Sequence, residues 1–224
     1  MQINRTYPVK TFTILCLCLF VASCANFKAY FNTYYNAKDY FDKAEKSRLE
    51  NRGEVLPKVA IDHYNKVIEK SKIIIDDYPE FKLRKDALLL IVQSQFYLQE
   101  YKNAQGSLSL MKSEFGSTVT FETAFWSSMI KWKEGKVQPA INELSGLFDN
   151  KLSSNNKAKI YLSIAEIYFD QKMISLSMDN LVKAAELIRD PNEKGQIYYR
   201  IADISFNEND FTRALEAYKL VIKN

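Results

Sequence analysis

Tyr198-Tyr199-Arg200-Ile201-Ala202-Asp203-Ile204-Ser205-Phe206-Asn207-Glu208-Asn209-Asp210-Phe211-Thr212-Arg213-Ala214-Leu215-Glu216-Ala217-Tyr218-Lys219-Leu220-Val221 holds the pattern that the rest of the chain repeats. Apolar and small residues fall at Tyr198, Ile201, Ala202 and Phe206, and again at Phe211, Ala214, Leu215, Tyr218 and Val221. Each half has the three-and-four spacing of an amphipathic helix. The polar break from Asn207 to Asp210 is long enough only to turn one helix back against the other. Ala202 and Ala214 let the two helices approach closely, and aromatic residues fill the space beside them.

The same unit recurs toward the N-terminus. Ala214 has equivalents at Ser177, Ala140, Ala104 and Val67, separated by 37, 37, 36 and 37 residues. The Ala202 position recurs as Ala165, Ser128 and Val92, and the Phe206 position as Phe169, Trp132 and Phe96. A fixed period of this length is the mark of a solenoid, in which each helix pair buries its apolar face on the next.

These residues resemble the tetratricopeptide repeat family. The closest matches are Tyr198, Ala202, Phe206, Phe211, Ala214 and Tyr218, with Leu98, Tyr101 and Ala104 in an earlier unit, and Pro79 sits where that family ends a repeat. The period of 36 to 37 is longer than the family's usual 34, and its usual turn glycine survives only as Gly135. The resemblance implies an all-α, right-handed solenoid of about five helix-turn-helix repeats. Repeats two to five are expected at about 82–115, 119–149, 155–188 and 192–223, with residues 57–79 as the second helix of repeat one. Phe115-Gly116-Ser117-Thr118, residues 150–156 and Arg189-Asp190-Pro191-Asn192 have the chemistry of connectors.

Residues 1–10 carry Arg5 and Lys10 and no acid, and residues 11–22 form a 12-residue run without a charge. A spanning helix needs roughly 20 apolar residues, so this pattern is expected to be an export signal rather than a span. It ends in Val21-Ala22-Ser23-Cys24, which resembles the lipobox of bacterial lipoproteins. The resemblance implies cleavage after Ser23 and acylation of Cys24. Cys16 and Cys18 would leave with the signal, so Cys24 would remain without a disulfide partner in an oxidising compartment. Acylation removes that thiol, and several chains at about 0.8 kcal/mol per buried methylene anchor a protein stably. Among lipoproteins a non-acidic residue after the cysteine, here Ala25, implies forwarding to the outer membrane, with the body facing the periplasm. The organisation expected is therefore a signal at 1–23, an aromatic N-terminal helix within 24–56, and repeats over 57–224.

The aromatic segment contains Phe27, Tyr30, Phe31, Tyr34, Tyr35, Tyr40 and Phe41. With Ala37 and Ala44 it has helical spacing, and Gly53 and Pro57 are expected to break the helix. Most simply it is the enlarged first helix of repeat one. Outward tyrosines near Cys24 could also meet a partner or lipid headgroups. Its wording, Phe31-Asn32-Thr33-Tyr34-Tyr35-Asn36-Ala37-Lys38 followed by Ala44-Glu45-Lys46, resembles the opening of repeat lipoproteins from the Bacteroidota.

Formal charge is +4, from 31 Lys and Arg against 27 Asp and Glu, and loss of Arg5 and Lys10 would leave +2. That balance disfavours a nucleic-acid partner, which asks for a clustered basic surface. An RNA-binding helical repeat is accordingly the weaker reading. His63 is the single histidine, without a cysteine or second histidine to complete a metal site, and reads as a surface or packing residue. No phosphate-cradling loop, nucleophile elbow or metal-ligand spacing occurs, so no catalytic residue, cofactor or metal is expected. A hydrolase built on Asp and Glu alone would need a pocket that a sequence does not display.

In tetratricopeptide repeats the first helix of each pair lines the concave surface. By register, the groove positions are Leu89, Gln93 and Tyr97; then Phe125, Trp126, Met129 and Lys133; then Leu162, Glu166 and Asp170; then Tyr199, Asp203 and Asn207. The centre is aromatic and the C-terminal half acidic, which would suit a peptide segment with apolar anchors and some positive charge. Trp126 is the favoured anchor, because it neighbours Phe125 and consecutive helical residues point apart. Phe125, Leu162 and Tyr199 could equally pack as core. Leu215, Tyr218 and Ile222 form a stripe that a further helix or a partner would cover. Together these features describe a lipid-anchored scaffold for protein–protein interaction. The plan is similar to the BamD-type lipoproteins of outer-membrane β-barrel assembly, the alternatives being adaptors of secretion, gliding or peptidoglycan-associated complexes.

Overall fold

The computed structural model describes residues 29–51 and 55–223. The expected signal, Cys24 and Phe27, and the break at Gly53, lie outside the described residues. A π-helical turn, Ala29–Tyr34, leads into α1 (Tyr35–Glu50). Then follow α2 (Lys58–Asp77), α3 (Arg84–Tyr97), α4 (Tyr101–Phe115), α5 (Thr120–Lys133) and α6 (Val137–Gly146). The chain closes with α7 (Ser154–Asp170), α8 (Ile174–Leu187), α9 (Pro191–Asn207) and α10 (Phe211–Lys223). Short 3₁₀ turns occupy Gly116–Val119 and Leu147–Asp149, and no strand occurs among the described residues. The fold is all-α and tetratricopeptide-like, with odd-numbered first helices and even-numbered second helices.

Two compact units divide the chain, Met1–Thr123 and Ala124–Asn224. In the first, α1 packs on α2, α2 on α3 and α3 on α4. In the second, α7 packs on α8, α8 on α9 and α9 on α10. There α5 and α6 are joined by Ser128, whose hydroxyl donates to Glu143 at 3.1 Å, and by the Lys131–Glu143 ion pair.

Both small-residue columns are buried throughout. Val92, Ser128, Ala165 and Ala202 on the first helices, and Val67, Ala104, Ala140, Ser177 and Ala214 on the second, all lie inside. A small side chain at the crossing brings helix axes together, and each pair then closes on larger residues. Ser177 keeps its buried hydroxyl satisfied by donating to the Ala165 carbonyl at 2.9 Å. Ala37 and Ala44 of α1 are fully buried, with Tyr34, Tyr40 and Phe41 packed beside them. His63 packs against Tyr40 with ring centroids 5.6 Å apart.

The turns from α3 to α4, α5 to α6, α7 to α8 and α9 to α10 are built alike. Gln99, Gly135, Lys172 and Asn209 occupy equivalent positions, with φ of 62°, 83°, 58° and 63°. The following amide then reaches back to a carbonyl of the last helical turn, as Glu100 to Gln95 at 2.8 Å and Asp210 to Ser205 at 2.9 Å. This left-handed cap satisfies carbonyls that the helix end would otherwise leave open. Only one of the four is glycine, the residue that adopts this conformation without strain. Across the turn the aromatic at the end of one helix meets the first residue of the next, Phe96 with Tyr101 at 5.9 Å and Phe206 with Phe211 at 5.5 Å. Because nothing lies within 4 Å of a Cβ built on Gly135, Gly135→Ala is expected to cost about 1 kcal/mol through φ alone, and Lys172→Gly to gain a similar amount. Thermal unfolding of the two variants checks this, with opposite shifts expected.

Side-chain caps hold the starts of α9 and α7. Asp190 accepts from the Glu193 amide at 2.8 Å with Pro191 at the first position, and Ser153 accepts from the Asn156 amide at 3.2 Å. Pro139 stands in the first turn of α6, where a missing N–H costs little.

Candidate protein-binding face

In the first unit the expected groove residues Leu89, Gln93 and Tyr97 of α3 are half-buried. Leu89 packs on Leu88, Ile91, Met111 and Val119. Tyr97 belongs to a built cluster. Its ring stacks on Tyr64 at 5.4 Å and lies under the Arg48 guanidinium at 4.3 Å. Arg48 donates to both Glu45 carboxylate oxygens, at 3.0 and 2.7 Å, and the fully buried Tyr64 donates its hydroxyl to Glu45 as well. Burial, then the bond to Glu45, pushes the Tyr64 hydroxyl far above its ordinary range, so it remains a protonated donor. Beside this cluster is an open cavity of about 450 Å³ whose lining includes Leu56, Ile61, Tyr97 and Leu98. Register arithmetic does not show it, because its walls come from the turn after α3 and the chain entering α2.

In the second unit the aromatic centre is core. Phe125, Trp126 and Met129 are 1%, 4% and 7% exposed, which corrects the expectation of Trp126 as an exposed anchor. The two rings meet edge-on at 5.3 Å, with the Lys159 ammonium 4.2 Å from the first ring centre and 5.0 Å from the second. Consecutive helical side chains do point about 100° apart, but a helix covered by neighbours on two sides buries a wider arc than that. Here α6 covers α5 on one side, and Lys159 of α7 reaches over it on another.

The charged register positions are brought together. Lys133 of α5 reaches Asp170 of α7 at 3.4 Å, and Glu166 of α7 pairs with Arg200 of α9. Successive first helices are thereby linked along one face. Arg200 also lies 5.7 Å from the Phe169 ring centre. Leu162 packs partly into the core of α7, α8 and α9, whereas Tyr199 is 39% exposed, its ring 6.0 Å from Tyr218. Asp203 is half-buried and Asn207 exposed. Lys159 and Arg200 were missed by register reasoning. The available signal was opposite charge 34 positions apart, Glu166 against Arg200, three short of the repeat period. They turn an expected acidic half into a face of mixed charge. Exposed pairs of this kind contribute about 0–1 kcal/mol each, so a partner's charges can exchange with them at little cost.

Among the described residues no group of three His, Cys, Asp or Glu is placed to hold a metal ion. No described helix is long and apolar enough to cross a membrane.

A tetratricopeptide repeat family model matches residues 195–224, which is α10 and most of α9. No curated protein matches the chain in sequence. Among solved structures, a crystal structure of MamA is similar at 14% identity and TM-score 0.47, covering 80% of this chain and 92% of that one. MamA from Desulfovibrio magneticus RS-1 is similar at 14% identity and TM-score 0.45, covering 84% and 94%. A likeness of this degree bears on neither partner nor substrate. The class that the helices themselves define is an all-α, tetratricopeptide-like repeat protein.

Proposed function

We propose that the protein is a lipid-anchored, non-enzymatic scaffold that binds other proteins at the bacterial outer membrane through the first-helix face of its second unit. The observation that carries this reading is the linked face of α5, α7 and α9, where Lys133–Asp170 and Glu166–Arg200 hold an open surface bearing the exposed Tyr199. Its chemistry suits a peptide segment with one aromatic or aliphatic anchor for Tyr199 and charges of both signs. Support for the anchor is Val21-Ala22-Ser23-Cys24 after an uncharged run. The finer role we propose is outer-membrane β-barrel assembly, supported by the combination of lipobox and a five-repeat body in the BamD-type manner.

The test is a membrane pull-down through a C-terminal tag, comparing wild type with Tyr199→Ala/Arg200→Glu and with Cys24→Ala. Recovery of β-barrel assembly components with wild type and their loss from the face variant supports the whole reading. Recovery of other envelope proteins with the same loss keeps the scaffold and removes the assembly role. Cys24→Ala is expected to leave the membrane fraction and to lose palmitate label; unchanged labelling contradicts the anchor.

A further inference from the structure

The turn from α7 to α8 carries a side chain of a kind that its three sister turns lack. Met173 immediately precedes α8, and its equivalents before α4, α6 and α10 are Glu100, Lys136 and Asp210, all charged. Leu176, three residues on, likewise stands where Asn103, Pro139 and Arg213 stand in the other repeats. Ile174 packs on the core of α7, α8 and α9, whereas Met173 is 51% exposed, with the exposed Phe169 and Leu176 on either side of it in sequence. The repeat that holds this turn is internal. α6 packs on α7 and α9 packs on α8, so the exposure of Met173 does not depend on either end of the chain.

The backbone at Met173 is held without help from its side chain. Its amide donates to the Tyr168 carbonyl at 2.9 Å, and its carbonyl accepts from the Ser177 amide at 3.0 Å. The same two bonds form around Glu100, to Gln95 at 2.8 Å and from Ala104 at 3.0 Å, and around Asp210, to Ser205 at 2.9 Å and from Ala214 at 3.0 Å. A polar side chain is therefore compatible with this turn. The other methionines among the described residues are placed differently. Met111 is fully buried against Leu88, Ile91 and Val119, Met178 lies in the core of α7, α8 and α9, and Met129 is buried in α5. A sulfoxide at any of these would set an unpaired S=O in apolar surroundings, at a cost of about 1–3 kcal/mol.

We propose that Met173 is a modification site, the thioether that a two-electron oxidant such as hydrogen peroxide converts first, and reversibly, to the sulfoxide. The sulfur lone pair takes one peroxide oxygen, the S–O bond forms as the O–O bond breaks, and the rest of the peroxide leaves as water. A methionine sulfoxide reductase returns the thioether, its thiols being oxidised to a disulfide and the oxygen released as water. The modification makes this position polar, the character its three sister positions already have, and so changes the surface without unfolding the repeat. It does not rest on the partner-binding reading of the first-helix face.

Limited peroxide treatment of the full chain in octyl glucoside, followed by peptide-resolved mass spectrometry, tests it. Met173 is expected to gain oxygen about 10-fold or more faster than Met111, Met129 and Met178, with the melting temperature unchanged while Met173 alone is modified. Methionine sulfoxide reductases A and B with dithiothreitol are expected to remove the oxygen. Met173→Gln, an uncharged polar stand-in for the sulfoxide, is expected to melt with wild type, and Met173→Leu to take up no oxygen at the dose that converts wild type. Comparable rates at any of the buried methionines, a melting temperature that falls as Met173 alone is oxidised or in Met173→Gln, oxygen uptake by Met173→Leu at that dose, or a sulfoxide that the reductases leave in place overturns the proposal.

Discussion

Trp126→Ala is expected to lower stability by about 3–5 kcal/mol, the cost of emptying a buried indole site. Trp126 meets Phe125 edge-on at 5.3 Å beneath the Lys159 ammonium, and truncation leaves a void at the point where α5 and α7 meet. In a chain of this size a loss of that order moves the unfolding midpoint by roughly 6–20 °C. Stability in a repeat array is shared between neighbours, so the loss should appear first as faster amide exchange in α5, α6 and α7. Tyr199→Ala is the contrast. With its side chain 39% exposed, it is expected to change stability by about 1 kcal/mol or less. Thermal melts of both variants by circular dichroism check the pair. A Trp126→Ala protein that melts with wild type would show that this ring is not part of the core. The distinction matters for binding studies, because lost partner capture in a Trp126 variant would report damaged folding rather than a removed contact.

Tyr64→Ala is expected to cost a similar 3–5 kcal/mol, while Tyr64→Phe costs about 1–2 kcal/mol. The alanine variant empties a site that is fully buried between Phe41 and Tyr97. The phenylalanine variant keeps the ring and removes one donor from Glu45, which Arg48 still binds with its two-toothed fork. Equilibrium unfolding of the two variants, read with amide exchange in α1, α2 and α3, separates ring from hydroxyl. Equal losses for both would mean that the hydroxyl, not the packing, holds α1 to α2.

The small residues made the fold legible. Ala202, Ala165 and Ser128 recur because two helices crossing closely admit little else, and a steric requirement of that kind leaves a mark at a fixed period. The left-handed turns were less visible. Gln99, Lys172 and Asn209 hold positive φ as Gly135 does, because the backbone bonds of the cap over-determine the conformation and the side chains do not announce it. Trp126 was misread for a related reason. Register says which way a side chain points, but how wide an arc is covered depends on neighbours a period away. Arg200 escaped because charge pairing across repeats depends on side-chain reach, and Glu166 finds it 34 positions along rather than at the 37-residue period. The Tyr64 cluster draws on three helices, and nothing local in α1 marks the half-buried Glu45 as its acceptor.

The most direct test of the proposed scaffold role is photo-crosslinking in intact cells from a benzoylphenylalanine placed at Tyr199, with one at the exposed Lys112 of α4 as control. The account predicts a discrete crosslinked protein in the membrane fraction from position 199, weakened by Arg200→Glu and absent from position 112. Identical patterns from both positions, or none from position 199 while the protein is folded and membrane-bound, would contradict it.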